Sequence, residues 1–218
     1  MFPKVVKGGN MRRNFSVVVV LIAVLYAVAC SEAPKTEAVK ASNEPSASAG
    51  PVSGKTAYWA MHKAAYSWSN DVVPLRLQSK SIPGIKNEAG SAGLWSATFA
   101  SPRKHEAMDF SYAVVPQSPD IVKGVNVGHA IPWSGPTYQV MPFQGSDIVV
   151  DSDSAFKTAA TQAQSWLKTH PDKEVSFLLG NNSANFAAPV WYVVWGDQKS
   201  GYSAFVTAKT GEVTKPIR

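Results

Sequence analysis

Ala57-Tyr58-Trp59-Ala60-Met61-His62-Lys63-Ala64-Ala65-Tyr66-Ser67-Trp68 and Ala155-Phe156-Lys157-Thr158-Ala159-Ala160-Thr161-Gln162-Ala163-Gln164-Ser165-Trp166 are two versions of one pattern, set 98 residues apart. Each opens on alanine and an aromatic residue, places another alanine eight positions on, and closes on Ser-Trp. Trp95 is followed by Phe99, and 96 residues later Trp191 is followed by Trp195. Loops absorb a two-residue difference between offsets. The spacing predicts a tandem duplication.

The second copy shows what is duplicated. Ser152, Asp153 or Ser154 suits a helix N-cap, and aspartate there favours the helix dipole. Phe156, Ala160, Ala163 and Leu167 then lie at helical spacing, and Pro171 follows the last turn at Thr169. Strands are expected at Glu174–Leu179, Val190–Trp195 and Tyr202–Ala208, with a short last one from Glu212; β-branched and aromatic residues dominate them. Gly180-Asn181-Asn182 and Lys209-Thr210-Gly211 read as turns. In the first copy a helix is expected from Thr56 to Trp68 and strands at Val73–Ser79, Leu94–Ala100 and Ala107–Val115. Pro116 to Val150 has no counterpart, with strand pieces expected at Tyr138–Phe143 and Asp147–Val150. The fold class is therefore α+β: two tandem units, each a helix on one face of an antiparallel sheet. Their bounds are 56–150 and 151–218.

Pro189-Val190-Trp191-Tyr192-Val193 and the closing Ala208-Lys209-Thr210-Gly211-Glu212-Val213, behind a helix with spaced alanines, resemble the PepSY domain family over residues 152–216. The first copy lacks the closing Thr-Gly-Glu. The resemblance implies a small, exported, non-catalytic domain that binds or restrains peptidases, often in tandem.

The N-terminus carries an address. Arg12 and Arg13 precede a 14-residue apolar stretch, Ser16 to Ala29, that ends at Cys30, the single cysteine of the chain. A membrane span needs about 20 apolar residues, so the stretch fits the core of a secretory signal. Leu25-Tyr26-Ala27-Val28-Ala29-Cys30 resembles a bacterial lipobox, with Ala27 where leucine is usual. Residues 1–29 read as a lipoprotein signal peptide starting at Met1 or Met11, and Cys30 as the lipidated residue tying the chain to a membrane. The alternative is an uncleaved anchor with an incidental cysteine. Ser31 to Lys55 has no aromatic residue and the composition of a disordered tether. Ser31 follows the cysteine where the lipoproteins it resembles carry aspartate for inner-membrane retention. In a Gram-negative cell that predicts the outer membrane, facing the periplasm.

Losing the leader changes the charge. It holds four basic and no acidic residues, which leaves 17 basic against 15 acidic groups of the original 21 and 15, a net of +2. No dense basic stripe remains for nucleic acid.

The chemistry-bearing residues form no reactive constellation. His62, His105, His129 and His170 lie far apart in sequence, and the lone cysteine does not supplement them as a metal set. Asp147, Asp151 and Asp153 lack the glycine and glutamate of a calcium loop and are read as helix-capping residues. Gly124, Gly128 and Gly135 do not make a phosphate loop, and no Gly-x-Ser-x-Gly is present. No catalytic residue, metal or cofactor is expected. Six tryptophans fall inside expected elements and are assigned to the core. Trp133, in Pro132-Trp133-Ser134-Gly135-Pro136, stands in a loop and is the candidate binding residue. The expected function is that of a lipid-anchored envelope protein binding an exported protein or peptide through a sheet face or edge. The alternatives are a structural or assembly lipoprotein of an envelope complex and, third, an enzyme.

Overall fold

Strand-forming runs separated by Gly, Pro and Asn pair mostly with their neighbours as antiparallel hairpins, and eight strands join into one sheet. The computed structural model describes residues 50–197 and 200–217. The elements run β1 (Val52–Ser53), α1 (Gly54–Trp68), β2 (Val73–Lys80), β3 (Ser91–Ala92), β4 (Leu94–Ser101), β5 (Glu106–Ala113), β6 (Gly124–Pro132), α2 (Ser152–Gln162), α3 (Gln164–Thr169), β7 (Val175–Gly180), β8 (Val190–Trp195), β9 (Tyr202–Thr207) and β10 (Val213–Thr214). The large sheet has the order β10-β9-β8-β7-β2-β4-β5-β6, and β1 pairs only with β3. The mixed α+β class is as expected from the sequence.

Each half meanders outward from the centre, and the two innermost strands, β2 and β7, pair antiparallel with Arg76 opposite Gly180 and Leu77 opposite Leu179. Two residues further on, the Ser79 hydroxyl accepts the Phe177 amide at 2.9 Å. Ser79 and Phe177 are 98 residues apart. The sheet is thus continuous through the seam.

Both helices pack on the same face of this sheet. The buried positions of α1 include Gly54, Ala57, Met61 and Ala65, and those of α2 include Ser152, Ala155 and Ala159, with Ala163 buried at its end. These are the same positions, 98 residues apart. In α2 the fully buried ridge is therefore made of small residues, while α1 also buries Tyr58 and Met61. Phe156, Ala160 and Leu167 flank it, half-buried, while Ala163 alone of the expected stripe is fully covered. Small residues let the helices sit close over the large side chains of the sheet: Trp95, Phe99, Phe110, Phe177 and Trp191 are all buried beneath them. The expected single helix to Thr169 is interrupted at Ala163, whose ψ of 0° ends α2 before α3 begins.

Four expectations are corrected. The tether was expected to reach Lys55, yet Val52 and Ser53 already form β1 and α1 starts at Gly54. Ser53 caps the helix, accepting the Thr56 amide, and the Val52 carbonyl accepts the Trp95 indole N–H. β6 was not expected. Its glycines and Asn126 dilute the alternation that marks strands. Tyr138–Phe143 holds only isolated bridges (Thr137 to Val140, Met141 to Asn181), and Gly145–Asp147 is a 3-10 turn. These short pieces join no ladder of the large sheet. Trp59, finally, lies 46% exposed on α1 instead of in the core.

Candidate functional site

Where the helices begin, one carboxylate serves both. Asp151 caps α2 by accepting the Ser152 amide at 2.6 Å, and its Oδ1 also accepts the Lys55 amide in the first turn of α1 at 2.8 Å. The Ser53 hydroxyl donates to Asp151 Oδ2 at 2.6 Å, and the Gly54 amide donates to the Ser152 hydroxyl at 2.7 Å. Two helix dipoles converge on one negative charge. This uses up Asp151. Asp147 accepts the Gln144 amide and Asp153 the Ser154 amide. All three aspartates cap backbone, as read from the sequence, and no cluster of three metal-ligating residues occurs among the described residues.

The histidines are scattered. His62 lies in α1 among the rings of Tyr58, Trp59 and Phe99, where burial lowers its pKa. His105 turns the β4–β5 hairpin at φ +54°, and His129 is exposed on β6. His170 ends α3, stacked on Trp166 with ring centres 4.2 Å apart and planes 8° from parallel. Burial raises the Tyr58 phenol, with Asp147 nearby adding to the effect. Asp71 is held well below the usual carboxylate range, chiefly by the hydroxyl of Ser101 and then by that of Ser69. That carboxylate ties the end of α1 to the β4–β5 hairpin and is a structural latch.

Trp133 is half-buried. It follows β6, donates its amide to the His105 carbonyl at 2.8 Å, and packs on Leu75, Ala100 and Ala107 on the sheet face away from the helices. Its ring covers a small apolar patch. Cys30, the leader and the tether up to residue 49 lie outside the described residues.

The sequence did not announce the main candidate site. A cleft of about 700 Å3 opens between the β2–β3 connection and the second half of the molecule. Its apolar wall includes Phe156, Leu167, Val175 and Trp195, faced by Ile82 and Ile85. Around it stand Lys86, Glu88, Asp172, Lys173 and Glu174, none ion-paired with another. The connection owes its shape to two tight turns. Pro83-Gly84, with Gly84 at φ +78°, brings Ile85 back to Ile82; Ala89-Gly90, at φ +49° and +87°, brings Ser91 back to Glu88. Such angles suit glycine and strain alanine. Gly90 has no room for a side chain, since a Cβ there would lie 2.2 Å from the Asp153 Cα. Between the turns, Asn87 is 4% exposed; its Nδ2 reaches the Ser79 hydroxyl at 3.4 Å, and its Oδ1 has no partner among the described residues. Volume and lining match sites that hold a small molecule or a side-chain cluster of a partner. The only sequence signals for it were the Pro-Gly and Ala-Gly pairs.

The outer edge of β6, at one end of the large sheet, is a second exposed surface. Nine residues long, it contains no charged side chain, and Val127 and Ile131 are about 60% exposed. Gly128 and His129 stand opposite the single residue Asp109, a bulge that twists the edge.

No family model matches the chain, and neither does any curated protein. Among solved structures, a protein provisionally assigned as a lipoprotein of Clostridium difficile 630 is similar over 73% of this chain and 90% of its own, with 10% identity and a TM-score of 0.44. At that distance nothing about function transfers.

Proposed function

We propose that the protein is an exported, lipid-anchored binding protein built of two PepSY-like repeats, and that it holds a segment of an exported peptide or peptidase in the cleft over Trp195. The observation that carries this is the cleft itself, an apolar wall ringed by unpaired charges of both signs. A peptide supplies that mixture: an apolar side chain for the wall, charged neighbours for the rim.

The repeat reading is supported by the correspondence of buried helix positions and of seam residues at one offset of 98. The address is supported by the leader, the apolar run and Cys30; Ser31 favours the outer membrane facing the periplasm in a Gram-negative cell. A net charge near +2 after processing gives no basis for nucleic-acid binding.

The test uses the full chain in its own membranes, with a photo-crosslinking residue at Lys86. A defined adduct that disappears in an Ile85→Lys background is expected; the same adducts in both backgrounds would sink the cleft reading. Palmitate labelling that is lost in Cys30→Ser is expected for the anchor, and an unlabelled wild-type chain would remove it. A second reading, a structural or assembly role in an envelope complex, rests on β6. Its uncharged edge suits strand addition, and crosslinks from Val127 instead of Lys86 would favour it.

A further inference from the structure

The two halves also enclose a smaller hollow, on the sheet face turned away from the helices. We propose that it binds a carboxylate group. The hollow measures about 200 Å3 and lies at the seam, where Arg76 of β2 is the cross-strand partner of Gly180 of β7. Arg76 is exposed, and its guanidinium has neither an ion pair nor a hydrogen bond among the described residues. No acidic residue lines the hollow. The other polar side chains there are neutral: Gln139, Asn181, Asn182 and Tyr192. The Asn181 amide nitrogen is held by the Pro142 carbonyl, and Tyr192 and Asn182 hydrogen-bond each other, so the unpaired guanidinium is the donor of the site, and its planar fork matches two carboxylate oxygens.

The hollow is built by the part of the chain that has no counterpart in the second half. Gln139 reaches it from the segment between β6 and the 3-10 turn, and that segment is fastened down. The Met141 amide donates to the Asn181 carbonyl at 2.9 Å, Asn181 Nδ2 donates to the Pro142 carbonyl at 3.2 Å, and the Ala184 amide donates to the Tyr138 carbonyl at 3.1 Å. Space is kept open on the opposite side. A Cβ on Gly180 would meet nothing within 4 Å, and the backbone there is not in the left-handed region. Glycine at 180 is thus not required by the fold. At this size the hollow takes a headgroup, below the roughly 300–1,000 Å3 of whole drug-sized sites. The carboxylate would come from a small organic acid or from the C-terminus of a peptide. The site is distinct from the cleft over Trp195 and does not depend on it.

The test is a titration of the full-length 15N-labelled protein in detergent, read at the backbone amides of Gly180, Asn181 and Asn182. The probes are propionate, N-acetyl-Ala-Ala and N-acetyl-Ala-Ala amide. Saturable shifts with the two acids and none with the amide are expected. Arg76→Gln is expected to weaken acid binding about tenfold, the effect of losing about 1.4 kcal/mol of charge-assisted bonding. Arg76→Lys should fall between. Gly180→Val should fill the hollow and abolish the shifts, with an unchanged far-UV spectrum showing that the fold persists. An N-acetyl-Ala-Ala affinity at least about tenfold above that of propionate would mark a chain end as the ligand, and comparable affinities a free acid. Equal binding of acid and amide would overturn the proposal, as would undiminished binding by Arg76→Gln. So would no saturable shift up to about 50 mM, far beyond a Kd of about 1 mM.

Discussion

Trp95 and Trp191 meet edge to face in the core with ring centres 6.4 Å apart, and each donates its indole N–H at 2.9 Å to a valine carbonyl, Val52 and Val150 respectively. The two acceptors are 98 residues apart, and each lies just before a helix cap. Each indole therefore fastens the entry of one helix to the sheet. Replacing either by phenylalanine keeps most of the apolar contact but strands a carbonyl. Each substitution is expected to cost about 1–3 kcal/mol, and the two costs should be similar. The double variant should deviate from their sum, because the rings touch. Urea denaturation of the single and double variants measures both.

Asp151 caps two helices at once, so its loss should exceed that of an ordinary cap. A single cap contributes about 0.5–2 kcal/mol. Asp151→Ala is expected to cost about 2–4 kcal/mol, toward twice that range, and Ser53→Ala less. Asp153→Ala, which touches only its own turn, should cost under about 1 kcal/mol. Thermal melts of the three variants give the ranking; equal losses from Asp151 and Asp153 would contradict the shared cap.

Gly54 carries a steric prediction. A Cβ there would lie 2.6 Å from Trp191 Cη2 and 3.1 Å from Trp95 Cη2, two rigid rings. Gly54→Ala is expected to destabilise by about 1–3 kcal/mol through overpacking, although alanine is the better helix former. Ala89→Gly should do the reverse. Ala89 is exposed at φ +49°, and relief of left-handed strain is expected to add up to about 1 kcal/mol.

Asp71 makes stability acid-sensitive. Its carboxyl pKa is depressed in the fold by the hydroxyls of Ser101 and Ser69 and by the Arg103 amide. A depressed carboxyl stabilises the fold while it is ionised. Its full contribution is present above the unfolded pKa of about 3.9 and is lost as pH falls below that toward the folded value. The stability difference between wild type and Asp71→Asn should be flat from pH 7 to about pH 4 and shrink below it. Ser101→Ala should reduce the difference more than removal of the exposed Arg103 side chain. Denaturant melts across that pH range test it.

The strands richest in β-branched and aromatic residues were legible within a residue or two: Val190–Trp195 was read to the residue, and Leu94–Ala100 one short of its end at Ser101. Burial on one face fixes their alternation. β6 was not legible because its register is set by β5 and not by its own pattern. The pairing of β2 with β7 has no local signal, since the partners are about a hundred residues apart. Helix positions were half legible. Phe156 and Leu167 mark the helix, but Ala155, Ala159 and Ala163 take the deepest place in the second half, and at Gly54 the approach to Trp95 and Trp191 leaves no room for a side chain. The doubly used Asp151 looked like an ordinary cap, and the cleft over Trp195 depends on two turns whose direction only tertiary packing decides. Trp133 stood out as a loop tryptophan, yet Leu75, Ala100 and Ala107 offered its ring an apolar seat.

The pairing at the seam has a temporal consequence. A chain delivered from its N-terminus, by a ribosome or a translocon, presents β2 long before Gly180 emerges to complete β7. Until then β2 has one bare edge at what will be the middle of the sheet, the kind of surface that recruits wrong strands. Vectorial synthesis thus leaves a waiting period in which the first half is assembled but open, and long-range pairing of this kind forms slowly. The interval ends only when the second half arrives, which makes the last third of the chain its own first half's guard against aggregation.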